Sequence, residues 1–204
     1  IANGATCNDE LLGQLLEWSP LVIVLDSAIE RVVSRNIKVD VLLGDFDRGF
    51  NPEEFVQSQY PIEIIHAPDQ DKTDLEKAFE YLIQRKIPAA NVIWATGKRA
   101  DHTMSNLTNM VRYRNSLKVV IHDDHSKIFL LPRYFQKWYP AGTIISLIPI
   151  GQVNGISTEN LVYPLHDETL TIGYRSGSSN AVAADGIVTI NHTEGDLLLM
   201  ECID

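Results

Sequence analysis

Neither a Gly-x-x-x-x-Gly-Lys-Ser/Thr loop nor a Gly-x-Gly-x-x-Gly turn occurs in the 204 residues, which excludes a nucleotide held in either of those ways. Apolar runs stay well short of the roughly 20 residues that a membrane-spanning helix needs. No basic stretch followed by an apolar one opens the chain, which therefore reads as cytoplasmic. Cysteine is scarce. Cys7 and Cys202 stand near opposite ends with no Cys-x-x-Cys pair, so a zinc ribbon or dithiol motif gives way to two idle thiols. Cations are outnumbered too: 17 Lys and Arg against 27 Asp and Glu leave a formal charge of −10. That balance argues against nucleic acid or an anionic membrane as main partner, since both need a basic face. A phosphorylated small molecule stays open, because divalent ions supply the positive charge that an acidic pocket lacks.

What is present is an ordinary globular composition, 45% hydrophobic and 22% charged, long enough for a sizeable core. Up to about Ser116, apolar runs at residues 20–26, 39–45, 61–67 and 90–96 read as strands buried on both faces. Helical segments lie between them; in one, Leu75, Ala78, Phe79, Leu82 and Ile83 share a face. Strand and helix in alternation predict an α/β domain over residues 1–120, with a mostly parallel sheet and ligands at the strands' carboxyl ends. After residue 127 the pattern becomes short alternating runs broken by Gly, Pro and Asn, which predicts an all-β, sandwich-like domain over residues 127–204.

Three predicted strand ends carry acids. The first is Gly44, Asp45, Phe46, Asp47: in an extended chain Asp45 and Asp47 project from one side, and Gly44 lets the backbone pass close to a ligand. A simple turn in which Asp45 caps the next segment is the alternative. The second holds Asp69, Gln70, Asp71, Thr73 and Asp74, where Thr73 and Glu76 form a capping box that leaves the aspartates unexplained. The third, Gly97, Lys98, Arg99 and Asp101, sets two cations where a strand gives way to a helix, as a phosphate cradle or as a solvated basic turn. Carboxylates converging from successive strand ends repel one another unless a cation joins them. A magnesium ion with a polyphosphate satisfies that requirement.

These elements in order, GDFD, DQDKTD and GKRADH, followed by a β-rich half carrying SGSSN, resemble the thiamine pyrophosphokinase family over nearly the whole chain. The resemblance implies transfer of pyrophosphate from ATP to the hydroxyl of thiamine, giving thiamine diphosphate and AMP, on a homodimer with sites between subunits. It implies Mg²⁺ and catalytic roles for Asp45, Asp47, Asp74 and Asp101, and contacts to ATP or its phosphates from Gly44, Asp71, Thr73, Gly97, Lys98 and Arg99. Thiamine contacts would come from Gln70, Ser178, Ser179 and Asn180, and the β half would carry both thiamine binding and dimerisation. Some positions depart from the family's pattern. Its DGG is Asp26, Ser27, Ala28; its GDFDS ends in Arg48; its GGR turn is Gly97, Lys98, Arg99; and Ala181, Val182, Ala183 follow SN where relatives often carry an aromatic ring, with Tyr174 and Tyr163 as nearby substitutes.

The resemblance implies in-line attack of a primary hydroxyl on the β-phosphorus of ATP, with Arg99 or Lys98 neutralising charge and Asp74 or Asp101 accepting the proton. Two alternatives are a Mg²⁺-dependent sugar-nucleotide transferase built on the DxD pair, and a nucleotide-binding module without chemistry. His122 and His125 read as part of a solvated turn rather than a metal cluster, and Trp138 and Tyr139 as a buried hairpin plug.

Overall fold

Short aliphatic runs without polar alternation cannot leave a face to water, and the four-residue strand Val41–Gly44 is buried at every position. The structure, a computed structural model, describes residues 1–47 and 49–203; Arg48 and Asp204 lie outside the described residues. The chain divides into two units, Ile1–Lys118 and Val119–Asp204. In the first, the order is α1 (Asp9–Leu16), β1 (Ile23–Leu25), α2 (Ala28–Val33), β2 (Val41–Gly44), a 3₁₀ turn (Pro52–Phe55), β3 (Glu63–His66), α3 (Asp74–Gln84), β4 (Ala89–Ile93) and α4 (Ala100–Tyr113).

Strands β1, β2 and β3 form a parallel sheet in that order, with Leu25 beside Leu43 and Gly44 beside His66. Residues 1–4 run alongside: the Leu25 N–H donates to Ile1 O at 3.0 Å, while the Ala2 and Gly4 N–H groups donate to Ile93 O and Trp94 O at 2.9 and 2.6 Å. Carboxyl ends of successive parallel segments therefore gather at one edge. Val24, Ala28, Ile29, Val32, Leu42 and Trp94 fill the core beneath it. Helix α3 buries Leu75, Ala78, Phe79 and Leu82, as its apolar spacing predicts, and buries Glu76 and Lys77 as well. β4 stops at Ile93 rather than continuing through the apolar run, because Trp94 takes a left-handed φ of 58° that breaks the extended backbone there.

The second unit holds β5 (Lys118–His122), β6 (Ser126–Leu130), β7 (Tyr134–Tyr139), β8 (Ile144–Glu159), β9 (Glu168–Thr171), β10 (Gly177–Ala181), β11 (Gly186–Asn191) and β12 (Glu194–Cys202). Its strands lie in the order β5-β6-β12-β8-β11-β7, with β9 and β10 also paired to β8. The long β8 is antiparallel to β9, β10, β11 and β12, which links the strands in one hydrogen-bonded path and makes this a β-rich unit. Strand alternation corrects the expected aromatic plug. Tyr139 is buried, whereas Trp138, its neighbour on the other face, is 58% exposed.

Candidate active site

The strand ends of the first unit are marked by backbone strain. Asp26, Phe46, Trp94 and Lys98 adopt φ values of 47°, 54°, 58° and 52°, a left-handed conformation that costs roughly 1–3 kcal/mol at residues other than glycine. Gly44 meets a different demand: a Cβ there would lie 3.1 Å from Cα and Cβ of Asp26 and would push the ends of β1 and β2 apart by a few tenths of an ångström. The turn at Phe46 breaks the extended geometry expected of the first acidic pair. Asp45 Oδ1 accepts the Asp47 N–H at 3.3 Å, and Asp47 is exposed.

Behind that turn lies a cavity of about 650 Å³ whose walls include Asn3, Asp45, Gln70, Asp74, Lys77 and Arg99. Lys77 projects from the first turn of α3, where the reciprocal Thr73 and Glu76 cap anticipated from sequence fixes the helix start. Its ammonium sits 3.1 Å from Asp74 Oδ1 and 3.6 Å from Asp45 Oδ2, on a side chain only 5% exposed. Gln70 Nε2 donates to the same Asp45 oxygen at 3.0 Å. Burial pushes the Asp45 carboxyl up, but the Gln70 amide, the Asp47 N–H and Lys77 together outweigh it and hold its pKa below the ordinary value. Asp74 is displaced the other way: burial raises its pKa, the charges of Asp45 and Asp26 add to that, and Lys77 only partly offsets them. Asp26 contributes a buried Oδ1 with no hydrogen-bond partner.

The opposite wall is basic. Gly97, at a φ of 72°, turns the chain beneath Lys98 and Arg99, and a Cβ there would meet the Ala5 side chain at 2.6 Å. Lys98 Nζ donates to Asn3 O at 3.2 Å, while Arg31 reaches Asn3 Oδ1 at 2.5 Å and stacks over Trp94 at 4.7 Å. Burial first and the Arg31 charge second lower the Lys98 pKa. Arg99 donates through Nε and Nη2 to the two oxygens of Asp101 at 3.1 and 2.5 Å, and that hydrogen-bonded pair holds the Asp101 pKa down to about 2. Of the residues singled out from sequence, Asp45, Gln70, Asp71, Thr73, Asp74, Gly97, Lys98 and Arg99 line the cavity; Gly44, Asp47 and Asp101 are not among its walls.

Ser178, Ser179 and Asn180 lie on β10 of the second unit, where a bulge between Gly177 and Asn180 interrupts the pairing to β8. Ser178 is exposed. Ser179, at a φ of 56°, donates its N–H to Ser146 Oγ at 2.9 Å. Asn180 is buried, and its amide is committed to backbone: it accepts the Tyr163 N–H at 3.0 Å and donates to Tyr163 O at 2.7 Å.

Comparison with known proteins decides the family. Residues 12–121 match the model of the thiamin pyrophosphokinase catalytic domain, and residues 131–197 that of the thiamin pyrophosphokinase vitamin B1 binding domain. The chain belongs to the thiamin pyrophosphokinase family. A thiamine pyrophosphokinase from Oryza sativa subsp. japonica is 30% identical over 170 residues, 76% of this chain and 63% of that protein. One from Caenorhabditis elegans is 26% identical over 180 residues, 81% and 72% respectively. Crystal structures of thiamine pyrophosphokinases from Bacillus subtilis (TM-score 0.83, 21% identity, covering 100% of this chain and 97% of that one) and Candida albicans (0.82, 15%, 100% and 88%) share the fold. Membership makes the chain an enzyme of the thiamine diphosphokinase class, EC 2.7.6.2.

Within this thiamin pyrophosphokinase catalytic domain, sequence reasoning overlooked Lys77. A lysine three residues into a helix reads as a solvated charge, and the available signal was its i, i+3 spacing from Asp74, which brings the two side chains together on the helix surface. Asp26 matches the first residue of the family's DGG, whose glycines are Ser27 and Ala28 here, and was given no role. It approaches Gly44 and acts on the charge of Asp74, contacts between separate elements that no local pattern reveals.

Proposed function

We propose that the strand-end cavity of the first unit is where this enzyme binds Mg²⁺ and ATP, and that it transfers the pyrophosphoryl group to the primary hydroxyl of thiamine, releasing AMP. The supporting observation is the convergence of Asp45 and Asp74 with Lys77, Lys98 and Arg99 around one cavity of about 650 Å³. A nucleotide triphosphate needs cations on one side, and a divalent ion needs carboxylate oxygens on the other.

The donor set fits magnesium of one kind. Asp45 and Asp74 face one space and the unpartnered oxygen of Asp26 lies beside them, yet no group of three or more acidic, histidine or cysteine side chains able to hold a metal occurs among the described residues. That suits an ion taken through one or two carboxylates together with substrate phosphates, and not an all-protein cage. When bound, such an ion supplies charge neutralisation to the phosphates and fixes their orientation. The residues do the rest. Lys98 and Arg99 stabilise negative charge on the transferring group, and the hydroxyl oxygen of thiamine forms its bond to the β-phosphorus as the bond to the AMP oxygen breaks. Of the two candidates for proton acceptor, Asp74 faces the cavity, whereas Asp101 is not among its walls and its carboxylate is paired with Arg99.

In this reading residues 1–120 form the catalytic domain and place Gln70 toward thiamine, while residues 127–204 contribute thiamine binding through the Ser178, Ser179, Asn180 stretch and form the interface of a homodimer. Asp47 and Asp101 act from the rim. Incubation with ATP, Mg²⁺ and thiamine, followed by chromatography, is expected to yield AMP and thiamine diphosphate in equal amounts. Release of a nucleoside diphosphate, or ATP binding without AMP, would overturn the assignment.

A further inference from the structure

Lys77 raises a question that the family's chemistry leaves open: why a nearly buried ammonium should occupy the approach to the carboxylates that a divalent cation needs. Its Nζ lies 3.1 Å from Asp74 Oδ1 and 3.6 Å from Asp45 Oδ2. Asp45 Oδ2 is the same oxygen that accepts from Gln70. One ammonium therefore bridges two acids at once, and the cap of α3 holds its backbone in place while a four-carbon stem leaves its head able to turn.

We propose that Lys77 is a resident counter-cation that competes with the divalent ion for Asp45 and Asp74 and then serves the nucleotide phosphates. The charge arithmetic gives the proposal its content. Two carboxylates and one ammonium sum to −1; a divalent ion brings the group to +1, a net attraction for a polyphosphate. Without Lys77 the pair stands at −2 and a divalent ion only brings it to zero. Removal of Lys77 thus tightens binding of the bare metal and weakens binding of the metal nucleotide, two effects of opposite sign. A lysine that merely packs the helix start would give neither that pairing nor that sign.

The inference rests on the assignment of this cavity to Mg²⁺ and ATP, and its test reads binding rather than turnover. Mn²⁺ affinity of the full chain without nucleotide, followed by electron paramagnetic resonance of the free ion, is expected to rise roughly tenfold or more in Lys77→Met, since a unit charge a few ångströms away is removed from a poorly solvated site. Affinity for Mn²⁺ with a non-hydrolysable ATP analogue is expected to fall by at least a similar factor, and Lys77→Arg to stay near wild type in both. In the wild-type chain, acetylation of Lys77 by acetic anhydride, read by mass spectrometry, should speed up when Mn²⁺ is added and slow again with the analogue, which keeps the proposal exposed even if the Met variant does not fold. Unchanged or weaker Mn²⁺ binding in a folded Lys77→Met, or labelling indifferent to Mn²⁺, would overturn it. Failure of wild-type protein to form AMP would instead overturn the functional assignment, so the two failures are distinguishable.

Discussion

The strand-end cavity of the first unit and the SGSSN stretch of the second both match family motifs, but their side chains are engaged in different ways. In the cavity, Asp45, Asp74, Lys77 and Gln70 are bound chiefly to one another, by ion pairs and an amide hydrogen bond that an incoming ligand can exchange. In the β unit, Asn180 is buried and bound to the two backbone groups of Tyr163, a partner that does not leave without unfolding the turn. The comparison teaches that a motif identifies positions, whereas the partners found in three dimensions decide whether a polar side chain is free for a ligand or spent on the fold. Asn180 presents Tyr163, 69% exposed, more directly than it presents itself.

The largest test of that contrast is Asp45→Asn. It removes the carboxylate charge while keeping an amide that accepts from Gln70, so turnover measured by AMP release is expected to fall by about a hundredfold or more with little loss of fold. Near-normal turnover would erase the special standing of the cavity. Asn180→Ala should act in the opposite manner. Leaving the Tyr163 N–H and C=O without partners costs about 2 kcal/mol, seen as a drop in melting temperature of roughly 5 °C, whereas the exposed Ser178→Ala leaves melting unchanged and raises KM for thiamine.

A titration sharpens the difference between the two cavity acids. In protein without added metal, carboxyl ¹³C resonances are expected to place Asp74 above the ordinary aspartate value and Asp45 below it. The linked stability effects have opposite signs. Asp45, with its depressed folded pKa, contributes stability that is present above its unfolded pKa and lost as pH falls through the folded one. Asp74 binds its proton more tightly when folded, so its contribution declines as pH rises from the unfolded to the raised value. Equal titration of the two would remove burial at Asp74 and the Gln70 amide at Asp45 as the causes that separate them. The smallest effect on stability is expected at Arg99: Arg99→Met should leave the melting temperature unchanged, because the pair with Asp101 is solvent-exposed, yet lower turnover measured by AMP release.

Much of the first unit was legible from local chemistry. Period and composition revealed the buried strands and the face of α3, and the Thr73 and Glu76 spacing predicted a cap that forms as expected. The order of the acidic motifs indicated the family. Local pattern failed where the backbone turned against it: Phe46 and Trp94 are bulky residues held in left-handed conformations, so the extended geometry assumed for Asp45 and Asp47, and the length of β4, were both misjudged.

By itself the sequence determined that two units alternate differently between apolar and polar residues, and that acids cluster where buried strands end, because periodicity and capping act over a few residues of chain. Only the tertiary structure decided that Lys77 stands between Asp45 and Asp74, that Gln70 donates to Asp45, and that Asn180 serves Tyr163. Those outcomes depend on which charges and polar groups meet across the fold, and electrostatic and hydrogen-bond energies follow distance in space, not separation along the chain.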